Sequence, residues 1–259
     1  MTGVRLGSLV TEDEGDGPAI VLVHGLGGDS NSFQTLMAAL EGYRVLRPDL
    51  PGAGRSALRP GVPGLKGLAS ALKDALRAAG IARAHFVGHS MGTLICQHLV
   101  AETPDLVASL TLFGPILEPP AAARQGLQDR AEAARTKGMA GIADAVSTAS
   151  VAAASQEANP VTTAFVRESL MRQDPAGYAS HCEALSAAQA AQHGAIRCPT
   201  LLIAGEHDPV APVAMAQALE AAIADATLEI IPGIAHWMMV EAPQRSAELL
   251  RGHLDKSAL

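Results

Sequence analysis

The sequence predicts an α/β fold built on a doubly wound, mostly parallel sheet. Short apolar runs such as residues 19–23 and 200–204 are typical of strands that are buried on both faces. They alternate with longer segments of helical periodicity, such as 65–79 and 91–102, and this alternation indicates a parallel sheet covered by helices. With 259 residues, 48% of them hydrophobic, the chain is long enough for one such domain with a small insertion.

The elements follow one another in a regular order along the chain. A strand or short hairpin at residues 5–12 opens it, and the other predicted strands are 19–23, 43–46, 84–88, 106–113, 200–204 and 227–231. A helix capped by Asn31 or Ser32 should run to Leu40, and further helices are predicted at 65–79, 91–102, 213–223 and 243–256. A loop rich in Gly and Pro, ending at Pro63, precedes the second of these helices.

Residues 115–195 interrupt the alternation. Pro115, Pro119 and Pro120 break the pattern, and Ala-rich amphipathic segments with almost no strand signal follow them. The strand pattern returns at Thr200. We therefore predict a helical cap at 115–195, inserted into a core domain formed by residues 1–114 and 196–259.

Composition excludes several classes of function. The net charge is −7 and no run of Lys or Arg forms a basic stripe, so we expect no nucleic-acid partner. We expect neither a signal peptide nor a membrane helix, because no charged N-terminal region precedes an apolar stretch and no long apolar run occurs. The histidines lack metal-ligand spacing, so neither a metal nor another cofactor is predicted. The chain has no C-x-x-C pair, and its odd number of cysteines fits free thiols in the cytoplasm: Cys96, Cys182 and Cys198.

The segment Gly88-His89-Ser90-Met91-Gly92 is a G-x-S-x-G pentapeptide. Its serine lies just after the predicted strand 84–88 and just before the predicted helix 91–102. A nucleophile elbow needs this context, because a tight strand-to-helix turn strains the serine backbone and exposes its hydroxyl. The short motif alone has little specificity, but its position between strand and helix predicts that Ser90 is a nucleophile.

A serine nucleophile needs a base, and the base needs an acid that orients it. Asp208 follows the strand 200–204 and His236 follows the strand 227–231. The order serine, acid, histidine is the one that this type of elbow uses. We predict that His236 takes the Ser90 proton and that Asp208 holds the imidazole in the right tautomer. Activity should therefore fall when His236 is protonated in acid.

Simpler interpretations of these residues stay open. Ser90 could be only a helix N-cap, Asp208 a turn residue, and His236 an ordinary loop histidine. Glu206 and Asp174 are rival candidates for the acid. His89 and His207 lie beside the predicted catalytic residues in the sequence, and we interpret both as structural or pocket-lining residues without a chemical role.

Two backbone N–H groups are predicted to bind the oxyanion. One belongs to Met91, which follows the nucleophile, and the other to Leu26, in the glycine-rich loop after the strand 19–23. That loop lacks the Lys-Ser/Thr end of a P-loop and the spacing of a dinucleotide fingerprint, so we do not predict phosphate binding. The predicted substrate pocket adds four residues: Gly25, His89, Leu117 and Trp237.

Taken together, these motifs resemble those of the α/β-hydrolase superfamily over the whole chain. The resemblance rests on His24-Gly25, the Asp49-x-x-Gly52-x-Gly54-x-Ser56 segment, the pentapeptide, Gly205-x-x-Asp208 and His236. It implies the α/β-hydrolase fold with an inserted helical cap.

Within that superfamily the cap is similar to that of 3-oxoadipate enol-lactonases. The similarity rests on residues 171–179, with Gly138-Met139 before them, and it implies hydrolysis of an enol-lactone in aromatic catabolism. Those enzymes tend to carry a Trp in the middle of the cap, whereas residues 146–155 here are nearly all small. An enol-lactone bearing a carboxylate would need a cation turned into the pocket, and the candidates are Arg55, Arg124, Arg130, Arg135, Lys137, Arg167 and Arg172.

The sequence thus predicts a serine hydrolase that cleaves a small carboxylic ester or lactone, such as 3-oxoadipate enol-lactone, through an acyl-enzyme. Other functions fit the same residues. They are carbon–carbon bond hydrolysis of a ring-fission dienoate, cofactor-free haloperoxidase or perhydrolase activity, and ligand binding by a hydrolase-fold receptor.

Overall fold

A computed structural model describes residues 3–59 and 64–257 of the chain. Its strands are β1 (Val4–Leu6), β2 (Leu9–Glu14), β3 (Ala19–Val23), β4 (Arg44–Pro48), β5 (Ala84–His89), β6 (Val107–Phe113), β7 (Thr200–Gly205) and β8 (Ala226–Ile231). They form an eight-stranded sheet with the order β1-β2-β4-β3-β5-β6-β7-β8. Only the pairings of β2 with β1 and β4 are antiparallel, so the predicted mostly parallel sheet is confirmed.

Helices connect and cover these strands. They are α1 (Gly64–Ala78), α2 (Met91–Glu102), α3 (Ala121–Lys137), α4 (Ala140–Ser150), α5 (Ala153–Ala158), α6 (Pro160–Met171), α7 (Pro175–Ser186), α8 (Val213–Ala222), α9 (Met238–Glu241) and α10 (Pro243–Lys256). Short 3₁₀ helices cover Ser30–Leu40, Pro104–Leu106 and His193–Ala195. The end of the predicted loop before α1, at residues 60–63, lies outside the described residues.

The predicted cap of the first helix was wrong. The segment Ser30–Leu40 is a 3₁₀ helix, and its N-cap is Asp29 rather than Asn31 or Ser32. The Asp29 carboxylate accepts the Asn31 N–H at 2.8 Å, while the Asp29 N–H donates to the Ser32 hydroxyl at 3.2 Å. The reciprocal pair is a capping box, so Ser32 completes the cap from inside the helix.

The two faces of the sheet carry separate clusters of buried side chains. Ile20 and Leu22 of β3 pack with the Ser30–Leu40 helix and α10, whereas Val21 and Val23 pack with α1 and α2. This division follows from the strand geometry, because successive side chains point to opposite faces. Every residue of β3, β5, β6 and β7 is buried, as expected of parallel strands covered on both sides.

The helices α3 to α7 lie between β6 and β7 in the chain, where the sequence predicts the cap. In space, α3 packs on α7 and α4 packs on α6. Polar contacts link this group to the loops of the sheet: Arg172 pairs with Asp29 at 2.7 Å, and the His181 ring donates to the Pro51 carbonyl at 2.8 Å. The domain boundaries at 114/115 and 195/196 stay a prediction. No helix in the described part of the chain is long and apolar enough to cross a membrane.

Candidate active site

Ser90 stands alone between the last residue of β5 and the first residue of α2. Its backbone angles are φ 53° and ψ −120°, and it is the only non-glycine residue with positive φ among those described. A side chain in this region costs energy that the surrounding structure must supply. The strained turn is the geometry of a nucleophile elbow, which lifts the hydroxyl clear of the sheet.

The flanking glycines make this turn possible. A Cβ on Gly92 would lie 2.7 Å from the His24 carbonyl oxygen, and one on Gly88 would lie 2.7 Å from the Gly92 carbonyl oxygen. Neither obstacle is a flexible side chain, so any larger residue would force the backbone of the elbow apart.

The structure brings Ser90, His236 and Asp208 into one hydrogen-bonded row. His236 Nε2 lies 2.8 Å from Ser90 Oγ, and His236 Nδ1 lies 2.7 Å from Asp208 Oδ2. All three residues are buried. They come from the ends of different strands, because Asp208 follows β7 and His236 follows β8.

Asp208 is held in the charged form. Burial alone would raise its pKa, but the charge and hydrogen bond of His236 and the N–H groups of Ala211 and Val210 lower the pKa below its usual value. These two N–H groups bind Asp208 Oδ1 at 2.9 Å and 2.8 Å, which leaves Oδ2 for the histidine. An ionised carboxylate beside Nδ1 favours the tautomer whose Nε2 can accept the serine proton.

The rival acids have other partners. The Glu206 carboxylate accepts the Gly233 N–H at 2.9 Å on the protein surface. The Asp174 carboxylate caps α7 by accepting the Gly177 N–H at 2.8 Å. Neither carboxylate is bonded to His236.

Gly114, at the end of β6, is a residue of the site that the sequence analysis missed. Its φ is 57°, and a Cβ there would lie 3.1 Å from the His236 ring and 3.3 Å from Asp208 Oδ2. The glycine therefore leaves room for the histidine–carboxylate pair. A lone glycine after a predicted strand carries no signal of this contact.

The two predicted oxyanion donors belong to the residue that follows Ser90 and to a loop that passes beside it. Met91 is the first residue of α2, so its N–H has no partner within the helix. Leu26 lines the cavity next to Ser90. Its loop is shaped by His24, whose Nδ1–H donates to the Gly25 carbonyl at 2.8 Å and whose Nε2 accepts the Leu50 N–H at 3.0 Å.

A cavity of about 260 Å³ opens above Ser90. Two of the predicted pocket residues, His89 and Trp237, line it together with Leu26, Ser90 and His236. The rest of the wall is largely apolar and comes from the cap, from the loop after Asp208 and from α8: Ile116, Pro119, Pro120, Ala123, Gly126, Leu127, Arg130, Val146, Ser150, Tyr178, Leu185, Pro209, Val210 and Met215.

Two predicted pocket residues do not line this cavity. Ile116 faces it instead of Leu117, because Thr93 and Gln97 of α2 bind the Ile116 N–H and carbonyl and so fix the direction of the segment. Gly25 lies behind the nucleophile, where a Cβ would come within 2.8 Å of Ser90 Cβ. Its role is to let the loop approach Ser90.

His89 supports the loop of His236. Its Nε2–H donates to the His236 carbonyl oxygen at 2.9 Å, and its ring packs against Trp237 with 5.0 Å between centroids. Burial lowers the pKa of His89 to about 3, so the ring is neutral. These contacts fit the predicted structural role.

Glu241 is a second residue that sequence analysis missed. Its Oε2 accepts the Ala152 N–H at 2.9 Å, the Ser155 hydroxyl at 2.9 Å and the Ala235 N–H at 3.1 Å. Its Oε1 accepts the Trp237 N–H at 2.9 Å. One carboxylate thus joins the cap to the loop that carries His236.

The sequence profile of the α/β hydrolase fold matches residues 18–243. The chain belongs to the α/β-hydrolase family. It is 30% identical to 3-oxoadipate enol-lactonase 1 of Acinetobacter baylyi, over 91% of this chain and 88% of that protein. Among solved structures, the enol-lactonase of Burkholderia xenovorans superposes with a TM-score of 0.91 at 30% identity, covering 98% of this chain and 100% of that one. A malate-bound thermophilic esterase from Thermogutta terrifontis superposes with a TM-score of 0.94 at 24% identity, with 100% of both chains covered.

In this α/β hydrolase the site offers nucleophilic and acid–base side chains. Within the described ranges, no group of three or more His, Cys, Asp or Glu side chains is arranged to hold a metal ion. A serine hydroxyl bonded to a buried histidine, itself bonded to a carboxylate, is an arrangement that suits acyl transfer.

Proposed function

We propose that this α/β hydrolase is a serine hydrolase that cleaves small carboxylic esters or lactones through an acyl-enzyme. The observation that carries the proposal is the continuous row from Ser90 through His236 to Asp208, with distances of 2.8 Å and 2.7 Å. At one end of this row the strained Ser90 lies beside a cavity, where its hydroxyl can reach the carbonyl group of a substrate.

The proposed reaction has two halves. Ser90 Oγ attacks the substrate carbonyl while its proton passes to His236 Nε2, and the N–H groups of Leu26 and Met91 bind the oxyanion. The proton then goes to the leaving oxygen as the carbon–oxygen bond breaks. In the second half, water attacks the acyl carbon and gives one proton to His236. His236 then returns this proton to Ser90 Oγ as the bond between Oγ and the acyl group breaks, which releases the acid and the free serine. Asp208 stabilises the imidazolium in both halves.

The cavity limits the substrate to a small molecule. Its volume of about 260 Å³ and its largely apolar wall fit a short acyl chain or a single lactone ring. The similarity to enol-lactonases makes 3-oxoadipate enol-lactone the first lactone to test. Such an enzyme would act in aromatic catabolism. Its location in the cytoplasm and its independence of a cofactor stay predictions.

The decisive experiment compares substrates in the wild-type protein and in Ser90→Ala. Purified protein is assayed with 4-nitrophenyl acetate, 4-nitrophenyl butyrate and 3-oxoadipate enol-lactone. Turnover that Ser90→Ala loses supports the proposal, and preference for the lactone identifies a lactonase. If the folded wild-type protein hydrolyses none of these substrates, the proposal fails. A coloured dienoate, then acetate with peroxide, then binding without turnover would test the other functions in turn.

A further inference from the structure

The wall of the cavity above Ser90 holds one permanently charged side chain. Arg130, on α3, lines the cavity, and none of the other described lining residues is Lys, Arg, Asp or Glu. The guanidinium of an arginine stays protonated in proteins. An otherwise apolar chamber therefore presents a positive charge to whatever binds next to the nucleophile.

The other cations considered from the sequence are engaged elsewhere or lie outside the cavity. Lys137 is exposed and lines a neighbouring cavity, but not the one that contains Ser90. The arginines are paired with carboxylates of the protein: Arg124 with Glu118, Arg135 with Glu183, Arg167 with Asp144, Arg172 with Asp29, and Arg55 with Asp49 and Glu12.

Arg130 has no such counter-ion. Across the described chain, no carboxylate lies within salt-bridge distance of its guanidinium. Its neighbour on α7 is the phenol of Tyr178, and burial raises the pKa of Tyr178 although Arg130 opposes this effect. The phenol therefore stays neutral and does not balance the charge. Arg130 is half-buried, and its charge faces the cavity with no carboxylate of the described residues to balance it, so the site favours an anionic ligand.

We propose that Arg130 binds a carboxylate group of the substrate, so that the preferred ester or lactone is an anion. This inference rests on the proposed hydrolase function. Arg130 also lines the neighbouring cavity of about 650 Å³ between α3 and α4, and so marks the junction of the two spaces. A substrate held in the cavity above Ser90 places its carbonyl at Ser90 and its carboxylate at Arg130, on the side where this cavity meets the neighbouring space. The planar guanidinium can bind the carboxylate through two parallel hydrogen bonds.

The test uses two esters that differ in one charge. Mono-4-nitrophenyl adipate carries a free carboxylate, and 4-nitrophenyl hexanoate has the same chain length without it. The variants are Arg130→Gln, which removes the charge, and Arg130→Lys, which keeps it without the planar fork. Lys137→Gln is the matched control, because it removes one positive charge from the same helix outside the cavity. The spontaneous rate, measured with Ser90→Ala, is subtracted.

The wild-type protein should prefer the anionic ester in kcat/KM. Arg130→Gln should reduce that preference by about 10- to 100-fold, mainly through KM, since a hydrogen bond to a charged group is lost. Arg130→Lys should recover part of it, and Lys137→Gln should keep it. Equal losses on both esters in Arg130→Gln, or an unchanged preference, would overturn the inference.

Failure of the hydrolase proposal gives a different result. If the wild-type protein turns over neither ester, the hydrolase assignment is lost, but Arg130 can still be tested by calorimetry with adipate as the ligand. Binding of adipate that Arg130→Gln abolishes and Lys137→Gln retains supports an anion site. Equal binding by the three proteins contradicts it.

Discussion

The backbone N–H of His236 donates to the carbonyl oxygen of Ser150, the last residue of α4, at 3.1 Å. The indole N–H of Trp237 donates to the hydroxyl of the same serine at 2.9 Å. The loop that carries the proposed base is therefore attached directly to the cap. In this enzyme the cap does more than cover the cavity, because it helps to set the position of His236.

Glu241 should be needed for this attachment. Glu241→Gln keeps the size of the side chain but replaces one of its two accepting oxygens with an NH2 group, so at least one of the four donors bonded to the carboxylate loses its acceptor. We expect the free energy of unfolding to fall by about 1–3 kcal/mol, with a lower kcat. Denaturant unfolding and ester hydrolysis measure the two effects. Glu248→Gln, on the exposed face of α10, is the control, and equal behaviour of the two variants would refute the role of Glu241.

Gly114 should be essential for activity although it supplies no functional group. In Gly114→Ala the new methyl would press on the His236 ring, 3.1 Å away, and the alanine would also be strained at φ 57°. A displacement of about 1 Å can cost about 100-fold in rate, so we expect a loss of kcat of that order. Gly252→Ala, in α10, has open space for its Cβ and serves as the control. Wild-type kcat in a folded Gly114→Ala protein would show that the site tolerates the methyl.

His181 should make the fold sensitive to acid. Burial lowers its pKa from 6.5 to about 4 in the folded state, where its ring donates to the Pro51 carbonyl. Between these two pH values the unfolded chain binds a proton that the folded chain excludes, so stability falls as the pH is lowered from 6.5 to about 4. The contribution of one such residue is about 1.4 kcal/mol per pH unit.

Unfolding curves at several pH values test this prediction. His181→Gln should be less stable than the wild-type protein at pH 7, because the hydrogen bond from the His181 ring to the Pro51 carbonyl is lost. Below pH 7 its free energy of unfolding should decline less steeply than that of the wild-type protein. Substitution of the exposed His207 by Gln provides the control. A slope in His181→Gln that matches the wild-type slope would rule out His181 as a source of acid sensitivity.

The sequence was informative wherever a feature depends on neighbouring residues in the chain. The periodicity of 19–23 and 65–79 predicts a strand and a helix because burial repeats every two or every 3.6 residues. Asp208 and His236 could be proposed for the site because each follows, within a few residues, a strand that the sequence reveals. The start of the 3₁₀ helix after Asp29 is harder to predict from sequence, because several adjacent residues there can act as its N-cap.

Other features depend on which segments meet in space. Glu241 and Ser150 each bind groups that are more than 80 residues away in the sequence, and no local pattern distinguishes them from surface residues. The same limit applies to Arg130, which in the sequence is one of several cations in the cap. It differs from them because the fold turns it toward the cavity above Ser90 and, within residues 3–59 and 64–257, places no carboxylate at salt-bridge distance from it.

The most direct test of the central proposal is whether Ser90 carries the acyl group. Intact-mass spectrometry of protein quenched during turnover of 4-nitrophenyl acetate should show one added acetyl group, and peptide mapping should place it on Ser90. In Ser90→Ala the adduct should be absent and kcat should fall by at least about 1,000-fold. An adduct on another residue, or turnover by Ser90→Ala at the wild-type rate, would contradict the proposal.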